Sequence, residues 1–141
     1  MGFFYFAYGS NLNTKRMVER GVRYSYRMEA KLEDYELRFN KVSKKQGAVA
    51  NVMPCEGSVV EGVLYHVEDI KQLDKFEGYP KHYDRVVLRL GEYNAWVYIA
   101  QPQYIQEGLK PKQEYLNHLL EGKQFLSDGY YEKLMMINES L

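Results

Sequence analysis

Glu77 is the residue whose placement packing explains least. Glu68 to Phe76 is helical in spacing, and Gly78, Tyr79 and Pro80 end it, which puts Glu77 in the last turn. On a wheel of ~100° per residue with Ile70 at zero, Leu73 falls at about 300° and Glu77 at about 340°. A carboxylate thus occupies the core-facing stripe, where a leucine would pack. Unpaired carbonyls in the last turn also disfavour negative charge, by about 0.3–1 kcal/mol. Burial and the helix terminus both push a carboxyl pKa upward, toward the range useful for general acid/base work. The alternative is a fraying end that swings Glu77 to solvent or pairs it with Lys81 or Arg85. Asp74 and Glu68 read as solvated acids on a face of the same helix.

Tyr8-Gly9-Ser10-Asn11-Leu12 is the second candidate. A glycine directly after a buried strand, then small polar residues entering a helix, can aim backbone N–H groups at an anion or a developing oxyanion. Ser10 and Asn11 would add side-chain contacts. The segment lacks the lysine and spacing of a nucleotide-binding P-loop. An ordinary turn with a helix N-cap accounts for the same residues.

Other chemistries find less support. His66, His82 and His118 lie far apart with no metal-ligand spacing, and the single cysteine, Cys55, follows Pro54 in a turn, which argues against a metal site and a Cys-His nucleophile. Lys41, Lys44 and Lys45 form a basic stretch that reads as a solvated loop, or else as a contact for an anionic partner. Met135 and Met136 read as core filler. Nineteen basic residues balance nineteen acidic ones, so no global field gathers a nucleic acid or an anionic membrane.

These residues must be positioned by one small domain spanning 1–141. Its 141 residues are 45% hydrophobic, enough for a single core but not for two. No apolar run approaches the roughly 18 residues of a membrane span, and the start lacks a signal-peptide pattern, so a cytoplasmic location is expected. Phe3 to Tyr8 is an unbroken apolar run and reads as a central strand buried on both faces. Lys15 to Arg20 reads as a short helix stopped at Gly21. Tyr26 to Ser43 is strand-like with an interruption; Ala48 to Met53 is a strand closed by Pro54 and Gly57, and Val59 to Val67 another, with Gly62 marking a bulge or close approach. Tyr83 to Leu90 and Ala95 to Ala100 pair as a hairpin, and two helices follow, around Tyr115 to Leu120 and from about Asp128. Six or so strands without regular helical crossovers predict an α+β domain around an antiparallel or barrel-like sheet, not a doubly wound one. Fourteen tyrosines suit half-buried strands and the walls of a greasy but hydrogen-bonding cavity.

Tyr8 to Leu12, Gly47-Ala48-Val49-Ala50-Asn51, Gly62-Val63-Leu64-Tyr65 and Leu73-Asp74-Lys75-Phe76-Glu77-Gly78 follow one another along the chain, with Pro111, Tyr115 and Tyr130 to Leu134 behind them. In this order they resemble the γ-glutamylcyclotransferase family, close to the branch acting on γ-glutamyl amino acids and more distantly the γ-glutamylamine branch. The resemblance runs from Phe6 to about Ile137. It implies a small mixed β-barrel with flanking helices. It implies that Glu77 is the catalytic acid/base, that Tyr8, Gly9, Ser10, Asn11 and Leu12 hold the glutamyl moiety, and that Tyr83, Tyr98 and Tyr115 line the pocket. The implied reaction is attack of the α-amino group on its own γ-carbonyl, giving 5-oxoproline and a free amine or amino acid with no cofactor or metal. Its partner is a small γ-glutamyl molecule, with glutathione included only if the pocket admits a cysteinylglycine tail. The aromatic surface leaves room for a homodimer. Two stretches depart from the family: the segment after Glu77 is compressed and carries Pro80, and Ser127-Asp128 replaces a Leu-Pro turn.

Overall fold

The computed structural model describes residues 2–45 and 47–139. Five strands form one sheet: β1 (Phe3–Ala7), β2 (Tyr24–Ser43), β3 (Gly47–Val67), β4 (Tyr83–Leu90) and β5 (Tyr93–Ala100), in the order β2-β3-β1-β5-β4. Four short helices accompany them: α1 (Thr14–Glu19), α2 (Lys71–Glu77), α3 (Gln113–Leu120) and α4 (Asp128–Met135). The α+β class follows the sequence, with one difference. Among the described residues β2 and β4 carry no ladder between them, so the sheet is open and not closed into a barrel.

β1 takes the central position that its apolar run predicts, antiparallel to β3 and parallel to β5. Tyr5, Phe6 and Ala7 are buried, as expected of a strand with neighbours on both sides and packing on both faces, but the start of β1 is not: Phe3 is 46% exposed and Phe4 half-buried. Gly62 is a close approach: a Cβ there would meet the Ala7 carbonyl oxygen at 2.2 Å and the Phe6 ring at 3.0 Å. Only glycine lets β3 lie so near β1.

β2 and β3 make a long antiparallel ribbon from Tyr24↔Val67 to Ser43↔Gly47. Pro54 and Gly57 do not end a strand, contrary to their usual effect. β1 pairs only with Val63 to Val67, so at Pro54 the ribbon is two-stranded and the missing proline N–H interrupts no second ladder. Gly57 lies instead in an irregularity opposite Asp34, whose carboxylate Oδ1 accepts the Gly57 N–H at 3.0 Å. A second register shift falls between Arg38 and Lys41, where β2 carries one extra residue. Such a bulge breaks the inside-outside alternation. Consecutive Asn40 and Lys41 are both buried there.

The core is continuous across the sheet and the loop after β1, with Phe6, Leu12, Met17, Val52, Leu64, Tyr65, Leu73 and Val97 at its centre. Ser127 explains its departure from the Leu-Pro pattern by capping α4: its Oγ accepts the Tyr130 N–H at 3.4 Å and donates to Glu61 Oε2 at 2.7 Å. No helix among the described residues is long and apolar enough to cross a membrane.

Candidate active site

Seven residues make α2, too few for a helix to stand by itself in water. Tertiary contacts therefore decide where Glu77 points. Leu73 is fully buried, Gln72 Nε2 donates to the Arg20 carbonyl at 2.8 Å, and Gly78 closes the helix in the left-handed conformation at φ 66°. Asp74 corrects the expectation of a solvated acid. It pairs with the Arg85 guanidinium and accepts the Tyr98 hydroxyl proton at 2.8 Å. Arg85 also lies 4.3 Å over the Tyr79 ring and 4.8 Å over Trp96, so it is engaged away from Glu77.

Glu77 lines a cavity of about 900 Å³, a size suited to a small metabolite. Among the described residues no side chain hydrogen-bonds or ion-pairs with its carboxylate. Burial raises its pKa, against the lowering influence of Arg20, Lys41 and Arg16, with nearby Asp74 adding a smaller upward push. The fraying or paired alternative is not what the fold adopts.

The loop after β1 enters the same cavity. Gly9 leaves little space: a Cβ would lie 3.0 Å from the Tyr115 hydroxyl and 3.4 Å from Ala50 Cβ. Ser10–Leu12 forms a 3-10 turn in which the Leu12 and Asn13 N–H groups are spent on the Gly9 and Ser10 carbonyls, at 3.0 and 3.1 Å. The leading N–H groups of such a turn have no intrahelical acceptor, so Ser10 and Asn11 present theirs at its front. Leu12 departs from the expected site. Its side chain is fully buried in the core and its N–H is used within the turn, so it supports the loop without facing the cavity.

The side chains of Ser10 and Asn11 are held by protein partners. Arg16 Nε donates to Ser10 Oγ at 3.1 Å, and Arg20 donates to Asn11 Oδ1 at 3.2 Å. Asn11 Nδ2 donates to the Tyr5 hydroxyl at 3.0 Å, while the Asn11 carbonyl accepts from Tyr65 at 2.7 Å. Asn11 thus fixes the loop rather than standing free.

Tyr8, Tyr83, Tyr98 and Tyr115 come together in the cavity wall from the end of β1, β4, β5 and α3. Burial raises all four hydroxyls above the ordinary phenol range, so they are neutral donors at physiological pH. Three donate to the protein: Tyr8 to the Tyr98 carbonyl at 2.6 Å, Tyr83 to the Ala50 carbonyl at 2.7 Å, and Tyr98 to Asp74. Tyr115 instead accepts the Ala50 N–H at 3.0 Å, as Tyr5 accepts from Asn11. Tyr5 and Tyr115 therefore keep their own hydroxyl protons for another acceptor.

Sequence reading gave Lys41 a solvated loop or an anionic partner, not a buried place in the cavity wall, and gave Arg16 and Arg20 no part in the site. Lys41 is only 6% exposed, with Nζ donating to the Val42 carbonyl at 2.9 Å, 3.0 Å from His82 Nδ1 and 5.0 Å over the Tyr104 ring. Burial lowers its pKa, opposed by Glu77. Of the expected solvated loop, only Lys44 and Lys45 are exposed. The three histidines occupy separate places: His66 beside Ser25, His82 beside Lys41, and His118 beside Asn13 and Arg16.

Residues 5–124 match the family model described as γ-glutamyl cyclotransferase, AIG2-like. The chain belongs to that family. γ-Glutamylcyclotransferase of Bos taurus is 35% identical over 83 residues, covering 54% of this chain and 44% of that protein. The chain thus matches less than half the length of the curated relative. Similarity to solved structures extends further. A structure titled γ-glutamyl cyclotransferase superposes with a TM-score of 0.86 at 26% identity, over 98% of this chain and 89% of the other. An uncharacterized protein of Homo sapiens superposes with a TM-score of 0.84 at 27% identity, over 97% of this chain and 88% of the other. Within the AIG2-like cyclotransferase match lie the loop from Tyr8, Glu77 and the four cavity tyrosines.

Proposed function

We propose that this family member is a cyclotransferase that cyclises a γ-glutamyl amino acid, or a related γ-glutamyl compound, to 5-oxoproline and releases the amino acid or amine. The observation that carries the reading is Glu77: a carboxylate with a raised pKa and no protein partner among the described side chains, facing a tyrosine-lined cavity that the Gly9 to Asn11 loop also lines. Nucleophile and electrophile share one molecule, so the protein must fold the substrate into a near-attack conformer and move protons. The α-nitrogen begins as an ammonium and ends as a lactam N–H, shedding two protons. As the γ-carbonyl C–N bond breaks, the departing nitrogen gains two on its way to an ammonium ion. Glu77 as general base frees the attacking lone pair, and as general acid it protonates the leaving nitrogen.

The N–H groups of Ser10 and Asn11, with the unspent hydroxyl protons of Tyr5 and Tyr115, would bind the substrate α-carboxylate or the tetrahedral oxyanion. Buried aromatic walls favour cyclisation over hydrolysis by limiting water.

The test is 5-oxoproline release, read by mass spectrometry, from γ-glutamyl amino acids, γ-glutamylamines, γ-glutamyl-protected intermediates and glutathione. Glu77→Gln keeps the shape and removes the base. Its expected loss is at least roughly 100-fold in kcat, the low end for removal of a general base. In the wild type the acid limb of kcat/KM should lie above the ordinary carboxylate range, because the base must be ionised and its pKa is raised. Near-normal turnover by folded Glu77→Gln refutes the assignment. Binding of 5-oxoproline without turnover of any substrate would make the chain a carboxylate-binding module.

A further inference from the structure

The charges lining the cavity do not match the neutral balance of the chain. Arg16 and Arg20 of α1 and its C-terminal cap flank the Ser10–Asn11 turn. Lys41 lines the wall near the end of β2, with Lys44 and Lys45 just beyond it. Lys75 and Lys81 bracket Glu77 along the chain and line the same space. Glu77 is the one Asp or Glu among the described lining residues, although the whole chain carries nineteen of each sign. None of these lysines has a carboxylate within ion-pair distance among the described residues.

A γ-glutamyl unit carries one α-carboxylate and one α-ammonium, so its net charge is zero. The part shared by every candidate substrate therefore gives no reason for so large an excess of cations. Arg16 and Arg20, beside the glutamyl-holding turn, match its carboxylate. Lys41, Lys44, Lys45, Lys75 and Lys81 remain, and the leaving group is the substrate portion left to meet them. A cleft of one sign with low-dielectric walls focuses its field and concentrates ligands of opposite charge. Lys41 and Lys81 act on the protein in the same sense, adding to the downward push of burial on the His82 pKa.

We propose that the site selects an anionic leaving group: γ-glutamyl conjugates whose departing amine carries two carboxylates, a dicarboxylic amino acid being the simplest. This rests on the cyclotransferase reading and deepens it. Conjugates of uncharged or cationic amines meet the same lysines without attraction, which places γ-glutamylamines last.

At neutral pH γ-glutamylethylamine, γ-glutamylalanine and γ-glutamylglutamate differ by one negative charge per step. The wild-type kcat/KM should rise along that series, by about 10-fold for the last step, the low end for electrostatic focusing. The ratio of γ-glutamylglutamate to γ-glutamylalanine should shrink in the Lys44→Glu/Lys45→Glu double variant and with added salt. Equal kcat/KM for these two substrates, or a preference indifferent to both charge reversal and salt, overturns the proposal while leaving the cyclotransferase reading in place. If neither this series nor the wider γ-glutamyl panel releases 5-oxoproline, the cyclotransferase reading fails, and calorimetric Kd values for the same pair then decide the charge preference alone. Tighter binding of γ-glutamylglutamate supports it, and equal binding overturns it.

Discussion

Replacing Gly78 by alanine should damage both the fold and the placement of Glu77. The residue closes α2 at φ 66°, where an L side chain costs roughly 1–2 kcal/mol. A second cost comes from space: the new Cβ would lie 2.9 Å from His82 Cδ2 and 3.2 Å from its Cβ. His82 cannot yield freely, because its ring stacks on Tyr104 at 4.3 Å and Nδ1 meets Lys41 at 3.0 Å. Overpacking of this kind costs about 1–3 kcal/mol, which brings the expected destabilisation to about 2–4 kcal/mol once the reduced freedom of the unfolded chain is credited. Gly57 supplies the comparison. It has φ 86°, and a methyl group added there would meet nothing within 4 Å, so Gly57→Ala carries the conformational cost alone, about 1 kcal/mol. Urea unfolding of both variants at constant slope separates the two contributions. Because Gly78 follows Glu77 and presses on the residue that holds Lys41, kcat/KM should fall on the order of 100-fold in Gly78→Ala, as for a misplaced catalytic group. Equal destabilisation of the two variants would refute the argument that His82 limits the space at Gly78. Unchanged stability in both would refute the backbone argument.

Glu77→Gln should also alter stability, with a sign opposite to that of most paired carboxylates. A folded-state pKa raised above the unfolded value favours folding below the unfolded pKa, and that contribution is lost as pH rises through the folded pKa. The Tm of Glu77→Gln should therefore rise relative to wild type between acid and neutral pH in paired thermal melts; a gap that narrows would contradict the burial argument. Tyr98→Phe keeps the buried ring and removes the 2.8 Å hydrogen bond to Asp74. A cost of about 1.5–3 kcal/mol is expected from denaturant titration, as for a hydrogen bond to a charged group, and a change below about 0.5 kcal/mol would show that Arg85 alone suffices to hold Asp74.

Patterns local in sequence carried much of this molecule. The apolar run of β1, the helical spacing that turns Glu77 inward, the glycine stop at Gly78 and the hairpin of β4 and β5 all depend on neighbours a few residues apart, and each appears, though α2 begins only at Lys71 and leaves Glu68 outside it. The tyrosines could be named from the sequence, but not their hydrogen-bonding states. Whether Tyr115 donates or accepts depends on the Ala50 peptide, 65 residues away in the chain.

Tertiary structure decided the rest through contacts with no short-range signature. Pro54 and Gly57 read as strand ends because they usually are, yet the ribbon continues past them: no third strand needs the N–H that Pro54 lacks, and Gly57 gives its own to Asp34. Asp74 read as a wet acid because a lone carboxylate on a short helix usually is one, yet β4 and β5 bring Arg85 and Tyr98 to it. Lys41 read as part of a solvated loop because it is a lysine with two more close behind, yet one extra residue in β2 shifts the register and buries it beside His82. The sequence by itself determined where most strands, the loop after β1 and the helix that carries Glu77 fall, since periodicity and capping are local properties. Only the assembled sheet determined which charges surround Glu77, since Arg16, Arg20, Lys41 and Lys81 meet there from separate elements of the chain.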